Sequence, residues 1–321
     1  MRYRSTIIYL IAAVILSGIY FYETRSEKEA EKIKEKFRLL VQLQHDQPDT
    51  ITLKKENQLI RLVKSGTTED QKWEITSPIH AETDKVIINR LNDALIKLKY
   101  TRIILDKTDD LTQFGLDKPV FIISYAAGGV KNFFSFGHKS PVEDGFYVIK
   151  GETKKVYLIK SADKEALDKG IFDLRDKTLF SLEADEVTRI TIDRESGRWL
   201  LNKKDDRWIF GEDKDLKIDR TKIESLIRRT LWLEAASFEK ETADDLKPFG
   251  LDKPSARIFL SDGRKSEEII FGNDLKDDQK GRIYAWMRSK PLILTVEKKV
   301  LENLPANIDE IKEKGKMKDT K

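Results

Sequence analysis

The chain of 321 residues is long enough for two ordinary domains. Its 60 basic and 56 acidic side chains are interspersed, so the net charge is only +4 and no cationic stretch is dense enough to predict a nucleic-acid groove. The chain contains no cysteine, which excludes disulfides, thiol catalysis and Cys-ligated zinc.

The amino terminus carries an uncharged, mostly apolar run over residues 5–22. As an α-helix this run would cover about 27 Å, close to the ~30 Å hydrocarbon core of a bilayer. Arg2 and Arg4 precede it, as in a secretory signal peptide, but large residues stand where a cleavage site needs small ones. We therefore expect residues 1–22 to form a cytoplasmic leader and an uncleaved transmembrane anchor.

Two arguments disagree on the orientation of this anchor. More basic residues follow the apolar run than precede it, and a count of flanking charges would place the bulk of the chain inside the cytoplasm. A long following domain, however, is translocated largely regardless of its charge, and a short basic leader is typical of a signal-anchor. We expect the bulk of the chain to be extracytoplasmic, with the cytoplasmic topology as the alternative.

Residues 23–49 alternate Glu with Lys and Arg, and their apolar residues recur at helical spacing. This stripe comprises Ile33, Phe37, Leu40 and Val41, with Gln44 in line. The pattern predicts a charged helical stalk. We interpret the stalk as a solvated spacer rather than a binding helix, because its apolar stripe is short.

A six-residue stretch, Phe-Gly-Leu-Asp-Lys-Pro, occurs at 114–119 and again at 249–254. At the same offset of 135, other positions also coincide: Trp73 with Trp208, Asp84 with Asp219, Ile88 with Ile223, and Phe136-Gly137 with Phe271-Gly272. The offset predicts two copies of one module, over residues 50–180 and 181–304.

Alternation and helical periodicity predict the same element order in both modules. In the first we expect strands at 51–55, 59–64 and 72–76, a helix from Asp84, a strand at 101–105, four strands at 120–125, 132–136, 145–150 and 155–160, and a helix at 162–168. In the second we expect strands at 187–193, 198–202 and 207–210, a helix at 219–233, four strands at 255–260, 268–271, 282–287 and 292–296, and a helix at 297–304.

These elements predict an α+β fold: tandem duplicated modules, each an antiparallel sheet packed on a helix, behind one amino-terminal transmembrane helix. Residues 305–321 are dense in Lys, Asp and Glu, with little to bury. We expect them to form a disordered charged tail.

The repeated six-residue stretch has a structural explanation. Gly115 and Gly250 can adopt positive φ, while Pro119 and Pro254 disfavour helix in the residue before them. We interpret the stretch as a bend between the helix and the second set of strands. A ligand-binding loop is the alternative, although a lone glycine does not make a phosphate-binding loop.

Other conspicuous residues also favour structural roles. Trp73 and Trp208 are expected in the core, and His45, His80 and His138 on the surface. The acidic clusters Glu212, Asp213, Asp215 and Asp274, Asp277, Asp278 lack the glycine and distal glutamate of a calcium loop. With no nucleotide-binding, nucleophile-elbow or zinc-helix motif, we predict no catalytic, cofactor-binding or metal-binding residue, and no enzyme.

Several short motifs together resemble the domain-of-unknown-function 4340 family, over residue 50 to about residue 304. They are Trp73-Glu74-Ile75, the 114–119 stretch, Phe136-Gly137, Tyr147-Val148 and Val156-Tyr157-Leu158. The resemblance implies a bacterial protein with one amino-terminal membrane segment, whose gene commonly neighbours those of a gliding-motility-type ABC transporter and its auxiliary subunit. It implies an α+β fold and an accessory role at the envelope, and it brings no catalytic residues.

We therefore expect a non-enzymatic, membrane-anchored envelope accessory or scaffold protein, auxiliary to an ABC transporter assembly. It would be held in the bacterial inner membrane through residues 5–22, with its bulk periplasmic. The alternative is an extracytoplasmic binding module for a cell-wall polysaccharide, peptide or lipid, motivated by Tyr147, Tyr284 and Trp286, which we expect to be exposed aromatic residues. A hydrolase would require acidic residues converging in one cleft.

Overall fold

A computed structural model of the chain describes residues 38–41, 47–66, 70–213, 215–276, 279–305 and 307–313, with isolated positions 17, 20, 21 and 25. The chain divides into two compact units between Asp176 and Lys177, four residues before the expected module boundary.

The first unit is built on a nine-stranded antiparallel sheet with the strand order β4-β3-β2-β1-β6-β7-β8-β9-β5. Its strands are β1 (Thr50–Lys55), β2 (Gln58–Ser65), β3 (Lys72–Ser77), β4 (Ala81–Glu82), β5 (Arg102–Leu105), β6 (Phe121–Ala127), β7 (Val130–Lys139), β8 (Gly145–Lys150) and β9 (Val156–Lys160). Its helices are α1 (Lys85–Ile96), α2 (Ser161–Leu167) and α3 (Ile171–Leu174).

The described residues of the second unit repeat this strand order without a counterpart of β4, as an eight-stranded antiparallel sheet β12-β11-β10-β14-β15-β16-β17-β13. Its strands are β10 (Arg189–Arg194), β11 (Gly197–Lys204), β12 (Arg207–Phe210), β13 (Ser237–Lys240), β14 (Ala256–Ser261), β15 (Ser266–Asp274), β16 (Arg282–Met287) and β17 (Ile293–Glu297). Its helices are α4 (Arg220–Leu231) and α5 (Lys299–Glu302). The predicted duplication is confirmed, and the fold is mostly β with few helices.

Each long helix packs on one face of its sheet through the residues that the periodicity selects. In α1, Ile88, Leu91 and Leu95 are buried in the core of the first unit. Full burial of such a side chain contributes about 1.5–3 kcal/mol. Asp84 caps the helix by accepting hydrogen bonds from the backbone N–H groups of Val86 and Ile87. Asp219 caps α4 by accepting one from the backbone N–H of Lys222.

The first continuous described segment of the first unit is residues 38–41, which fall within the predicted stalk. Leu39 forms an antiparallel β-bridge with Lys99, and Leu40 and Val41 are buried in the core. The helix prediction is therefore wrong for residues 38–41, since these apolar residues pair with the chain beyond α1 instead of forming one stripe of a stalk. Most of the remaining stalk lies outside the described residues.

The second unit opens in the same manner. Thr178 forms a β-bridge with Glu234, and Leu179 and Phe180 are buried. This segment corresponds to residues 39–41 at an offset of 139. The module boundary therefore lies before these residues rather than after them.

Each unit also closes with a short segment that pairs beside its helix cap. Leu174 O accepts the Asp84 N–H at 2.9 Å, and Ile311 O accepts the Asp219 N–H at 2.8 Å. Ile311 is buried and Ile308 packs against the same core. The expectation of a disordered tail is wrong for residues 307–313, because these two isoleucines give the segment apolar surface to bury. Residues 314–321 lie outside the described part.

The predicted anchor at residues 5–22 lies outside the described residues except for positions 17, 20 and 21. Among the residues that the structure describes, no helix has the length and apolar character needed to cross a membrane.

Candidate functional site

The repeated stretch forms the same turn in both units. A 3-10 turn, Thr112–Phe114 or Lys247–Phe249, leads into a glycine in the left-handed conformation, with φ of +66° at Gly115 and +68° at Gly250. The N–H of Leu116 donates to Leu111 O at 3.1 Å, and that of Leu251 donates to Leu246 O at 3.0 Å. The turn therefore stops the 3-10 helix and redirects the chain, as the glycine pattern predicts.

A second pair of glycines explains why Phe-Gly recurs as well. A Cβ atom on Gly137 would overlap the carbonyl oxygen of Phe114, and one on Gly272 would overlap that of Phe249. Each of these glycines lies at an irregularity in the register of β7 with β8 or of β15 with β16. The strand and the turn thus touch backbone to backbone, which leaves no room for any side chain.

The glycine of each turn, Gly115 or Gly250, lies against the strand residue that follows Gly137 or Gly272. A Cβ on Gly115 would overlap the imidazole ring of His138, and one on Gly250 would overlap the side chain of Asn273. His138 is exposed, as predicted. Its ring is held against the turn, and Asn273 takes the same place in the second unit, so this position has a packing role that does not need an imidazole.

The turn covers one end of the sheet face that is opposite the helix, here called the outer face. Phe114 packs edge-on against Tyr147 with ring centroids 4.9 Å apart, and Phe249 packs against Tyr284 at 5.0 Å. Leu116 joins the first of these small clusters and Leu251 the second. The interpretation of the repeated stretch as a structural bend is supported in both copies.

The aromatic residues suggested as ligand contacts pack within these clusters. Tyr147 and Tyr284 are half-buried against the motif phenylalanines. Trp286 is also half-buried, and its indole N–H donates to Lys290 O at 3.1 Å. Their description as exposed aromatic residues is therefore wrong. Trp73 and Trp208 are buried, which confirms their expected core positions.

The acidic clusters contribute to turns and surface pairs. Asp213 accepts hydrogen bonds from the N–H groups of Asp215 and Leu216, and Asp274 pairs with Lys298 at 2.6 Å. Asp277 and Asp278 lie outside the described residues. No group of three or more metal-ligating side chains converges within the described ranges.

A serine, a lysine and a glutamate do converge at the start of the second unit, which the sequence analysis did not anticipate. Glu267 accepts hydrogen bonds from Ser181 Oγ at 2.8 Å and from the N–H groups of Ser181 at 2.9 Å and Leu182 at 3.3 Å. Lys265 Nζ lies 3.3 Å from the same carboxylate and also contacts Ser181 Oγ. No short-range sequence motif could have revealed this contact, because it joins residues about 86 positions apart.

The groups around Glu267 favour the ionised form of its carboxyl. Burial would raise the pKa of its carboxyl, but the hydrogen bonds from Ser181 and the pairing with Lys265 outweigh burial and hold the pKa below its usual 4.5. A general base works best with a pKa near the operating pH. Glu267 instead accepts the N–H groups of the opening segment and fastens that segment to β15.

The two outer faces differ where the turns do not cover them. In the first unit Lys54 lies directly between Leu59 and Ile122 of the neighbouring strands. At the same place in the second unit, Asp193 lies between Arg198 and Arg257. The structure therefore repeats the strands but replaces two apolar neighbours with two arginines.

The outer face of the second unit contains a groove of about 470 Å³. It is lined by Arg189, Asp193, Arg198, Arg257, Phe259 and Glu268, among others. Arg189 Nε donates to Asn202 Oδ1 at 2.9 Å, and Glu268 pairs with Arg288 at 3.0 Å. This groove is the best candidate for a binding site, because it combines three arginines with an aromatic ring on a sheet face.

Comparison with known proteins identifies one family. The family described as a domain of unknown function (DUF4340) matches residues 73–238 and, a second time, residues 208–318. The two matches begin at Trp73 and Trp208, which occupy corresponding strands. No curated protein and no solved structure matches the chain.

Replacing Glu267 with Gln is expected to destabilise the second unit by about 1.5–3 kcal/mol at neutral pH, since an amide cannot accept the same set of hydrogen bonds. Because the folded-state pKa is lowered, the stabilisation is complete above the unfolded pKa of about 4.5 and is lost as the pH falls through the folded value. The advantage of the wild-type protein over E267Q should therefore shrink in acid.

Denaturant unfolding followed by tryptophan fluorescence at neutral and acidic pH measures this difference. Asp274→Asn is the matched control on the same strand, because its exposed pair with Lys298 should contribute less than about 1 kcal/mol. Equal effects of the two substitutions, or an E267Q effect that grows in acid, would contradict the assignment.

Proposed function

The chain belongs to the domain-of-unknown-function 4340 family, and from that premise we propose that it is a non-enzymatic, membrane-anchored accessory protein that binds a protein partner through its sheet faces. The observation that carries this proposal is the contrast between the two outer faces. Residues that build the sheet, the helix and the turn recur, whereas the outer-face rows Leu59-Lys54-Ile122 and Arg198-Asp193-Arg257 differ.

The outer face of the first unit carries apolar side chains that a partner could contact. Leu59 is 46% exposed, and Ile122 and Phe133 are half-buried on the same face. Exposed apolar side chains gathered on one face favour contact with another protein. A duplicated module with one apolar and one charged face could hold two different parts of a partner.

The resemblance to the family directs the choice of partner toward an ABC transporter assembly of the gliding-motility type. On this proposal residues 5–22 anchor the chain in the bacterial inner membrane, and the two units act as an accessory or scaffold in the periplasm.

A small-molecule binding module for cell-wall polysaccharide, peptide or lipid is less well supported. The aromatic residues that motivated it, Tyr147, Tyr284 and Trp286, are engaged in packing and hydrogen bonds. A hydrolase has as little support, since the convergent carboxylate Glu267 is held at a low pKa by structural donors.

The partner is tested by affinity purification of the tagged full chain from gently solubilised membranes of its own cells. We expect transporter components to co-purify with the wild-type chain and to be depleted at least tenfold by Leu59→Asp, which places a charge on the apolar face. Val142→Asp is the matched control, because Val142 is 85% exposed and lies outside the strands.

If no transporter component is recovered with the wild-type chain, the proposal that the partner is an ABC transporter assembly is wrong. Equal depletion by the Leu59 and Val142 substitutions would show that the apolar face is not the contact surface.

The orientation is tested separately with reporter fusions at the carboxyl end. A reporter that is active only outside the cytoplasm should be active, and one that is active only inside should be silent. The reverse pattern would place both units in the cytoplasm and exclude a periplasmic accessory role.

A further inference from the structure

The groove on the outer face of the second unit has two arginines available for a ligand. Arg198 and Arg257 flank Asp193 on the two strands that neighbour β10. Among the described residues, no ion pair engages either guanidinium, in contrast to Arg288, which pairs with Glu268. Thr191 lies between Leu200 and Phe259 in the next row, and all three residues line the groove.

The distance between Arg198 and Arg257 determines how far apart the anionic groups of a ligand must be. Neighbouring strands lie about 4.8 Å apart, so side chains two strands apart are separated by about 10 Å. A guanidinium binds a carboxylate through two parallel N–H donors. Two carboxylates about 10 Å apart would therefore match Arg198 and Arg257.

Asp193 further restricts the class of anionic ligand that the groove can bind. Its carboxylate lies between the two arginines, and Glu268 lies on the same face. A polymer with a negative charge on every unit would bring an anion against Asp193, and such like-charge contacts weaken binding. A polypeptide with spaced acidic side chains avoids this contact, since every third side chain of a polyproline II segment lies on the same side, about 9 Å from the previous one.

We propose that this groove binds an acidic polypeptide segment of the protein partner. Arg198 and Arg257 each bind one carboxylate, Asp193 rejects uniformly charged polymers, and Phe259 and Leu200 contact the apolar part of the segment. The inference rests on the proposed function, because it assigns one part of the partner contact to the second unit.

The first unit provides a substitution that tests this assignment with little risk to folding. Leu59 and Ile122 occupy in the first sheet the positions of Arg198 and Arg257 in the second. The double variant R198L/R257I therefore introduces the side chains that stand at the corresponding positions of the first unit's outer face. Lys54→Ala with Arg61→Ala removes two charges from the outer face of the first unit and serves as the matched control.

Binding is measured by fluorescence anisotropy with the full chain in detergent micelles. The probe is a labelled peptide of five Glu-Ser-Ala repeats, and labelled oligogalacturonate is the uniformly charged competitor. We expect the peptide to bind the wild-type chain, to bind R198L/R257I at least tenfold more weakly, and to bind the control variant as the wild-type chain does. Asp193→Asn should strengthen oligogalacturonate binding at least threefold.

The proposal is overturned if the peptide does not bind, if both double variants lose affinity equally, or if oligogalacturonate binds the wild-type chain as tightly as the peptide. The last result would assign the groove to an acidic polysaccharide. Failure of the groove is distinguishable from failure of the proposed function: if R198L/R257I still recovers the transporter components undiminished, the accessory role stands without the groove.

Discussion

The architecture of each unit depends on a contact between two backbones. The strand glycine Gly137 approaches the carbonyl oxygen of Phe114 so closely that a Cβ atom cannot fit, and Gly272 approaches Phe249 in the same way. This contact presses the turn onto the outer face of the sheet while the long helix covers the other face. Phe114 and Phe249 can then pack against Tyr147 and Tyr284, which completes a small second core at that end of the sheet.

The turn covers only one end of the outer face, and the two units differ in the part of that face that the turn leaves uncovered. The divergence is chemical rather than architectural, as the replacement of Leu59 and Ile122 by Arg198 and Arg257 shows. A duplicated scaffold with unlike faces suits a protein that works by binding. The hydrogen bonds between Ser181, Leu182 and Glu267 fasten the opening segment of the second unit to β15.

Much of this fold was predictable from the sequence, because periodicity marks the two long helices α1 and α4 and most strands, and the recurrence at an offset of 135 marks the duplication. The ends of the modules were not found. The opening segments at 38 and 177 match at an offset of 139, since six residues separate β2 from β3 and only two separate β11 from β12. The closing residues Leu174 and Ile311 match at 137, and one buried pair is too short a signal to stand out from a charged tail.

The candidate groove was harder to predict than the fold. Arg198 and Arg257 are 59 positions apart in sequence, and only the strand order places them on either side of Asp193. The close approach of the glycines depends likewise on an irregular strand pairing that no residue pattern reveals. Sequence identified the repeated glycines as special positions, but only the three-dimensional contact explains the second one of each pair.

The stability of Gly272→Ala tests the backbone contact most directly. Gly211 is the comparison, because its φ is +59° and nothing lies near a Cβ there, so Gly211→Ala measures backbone strain alone, about 1 kcal/mol. Four of the five tryptophans lie in the second unit, so denaturant unfolding can be followed by fluorescence. We predict a loss of about 3 kcal/mol or more for Gly272→Ala, from overlap with a backbone that cannot move aside. A loss no larger than that of Gly211→Ala would contradict the account.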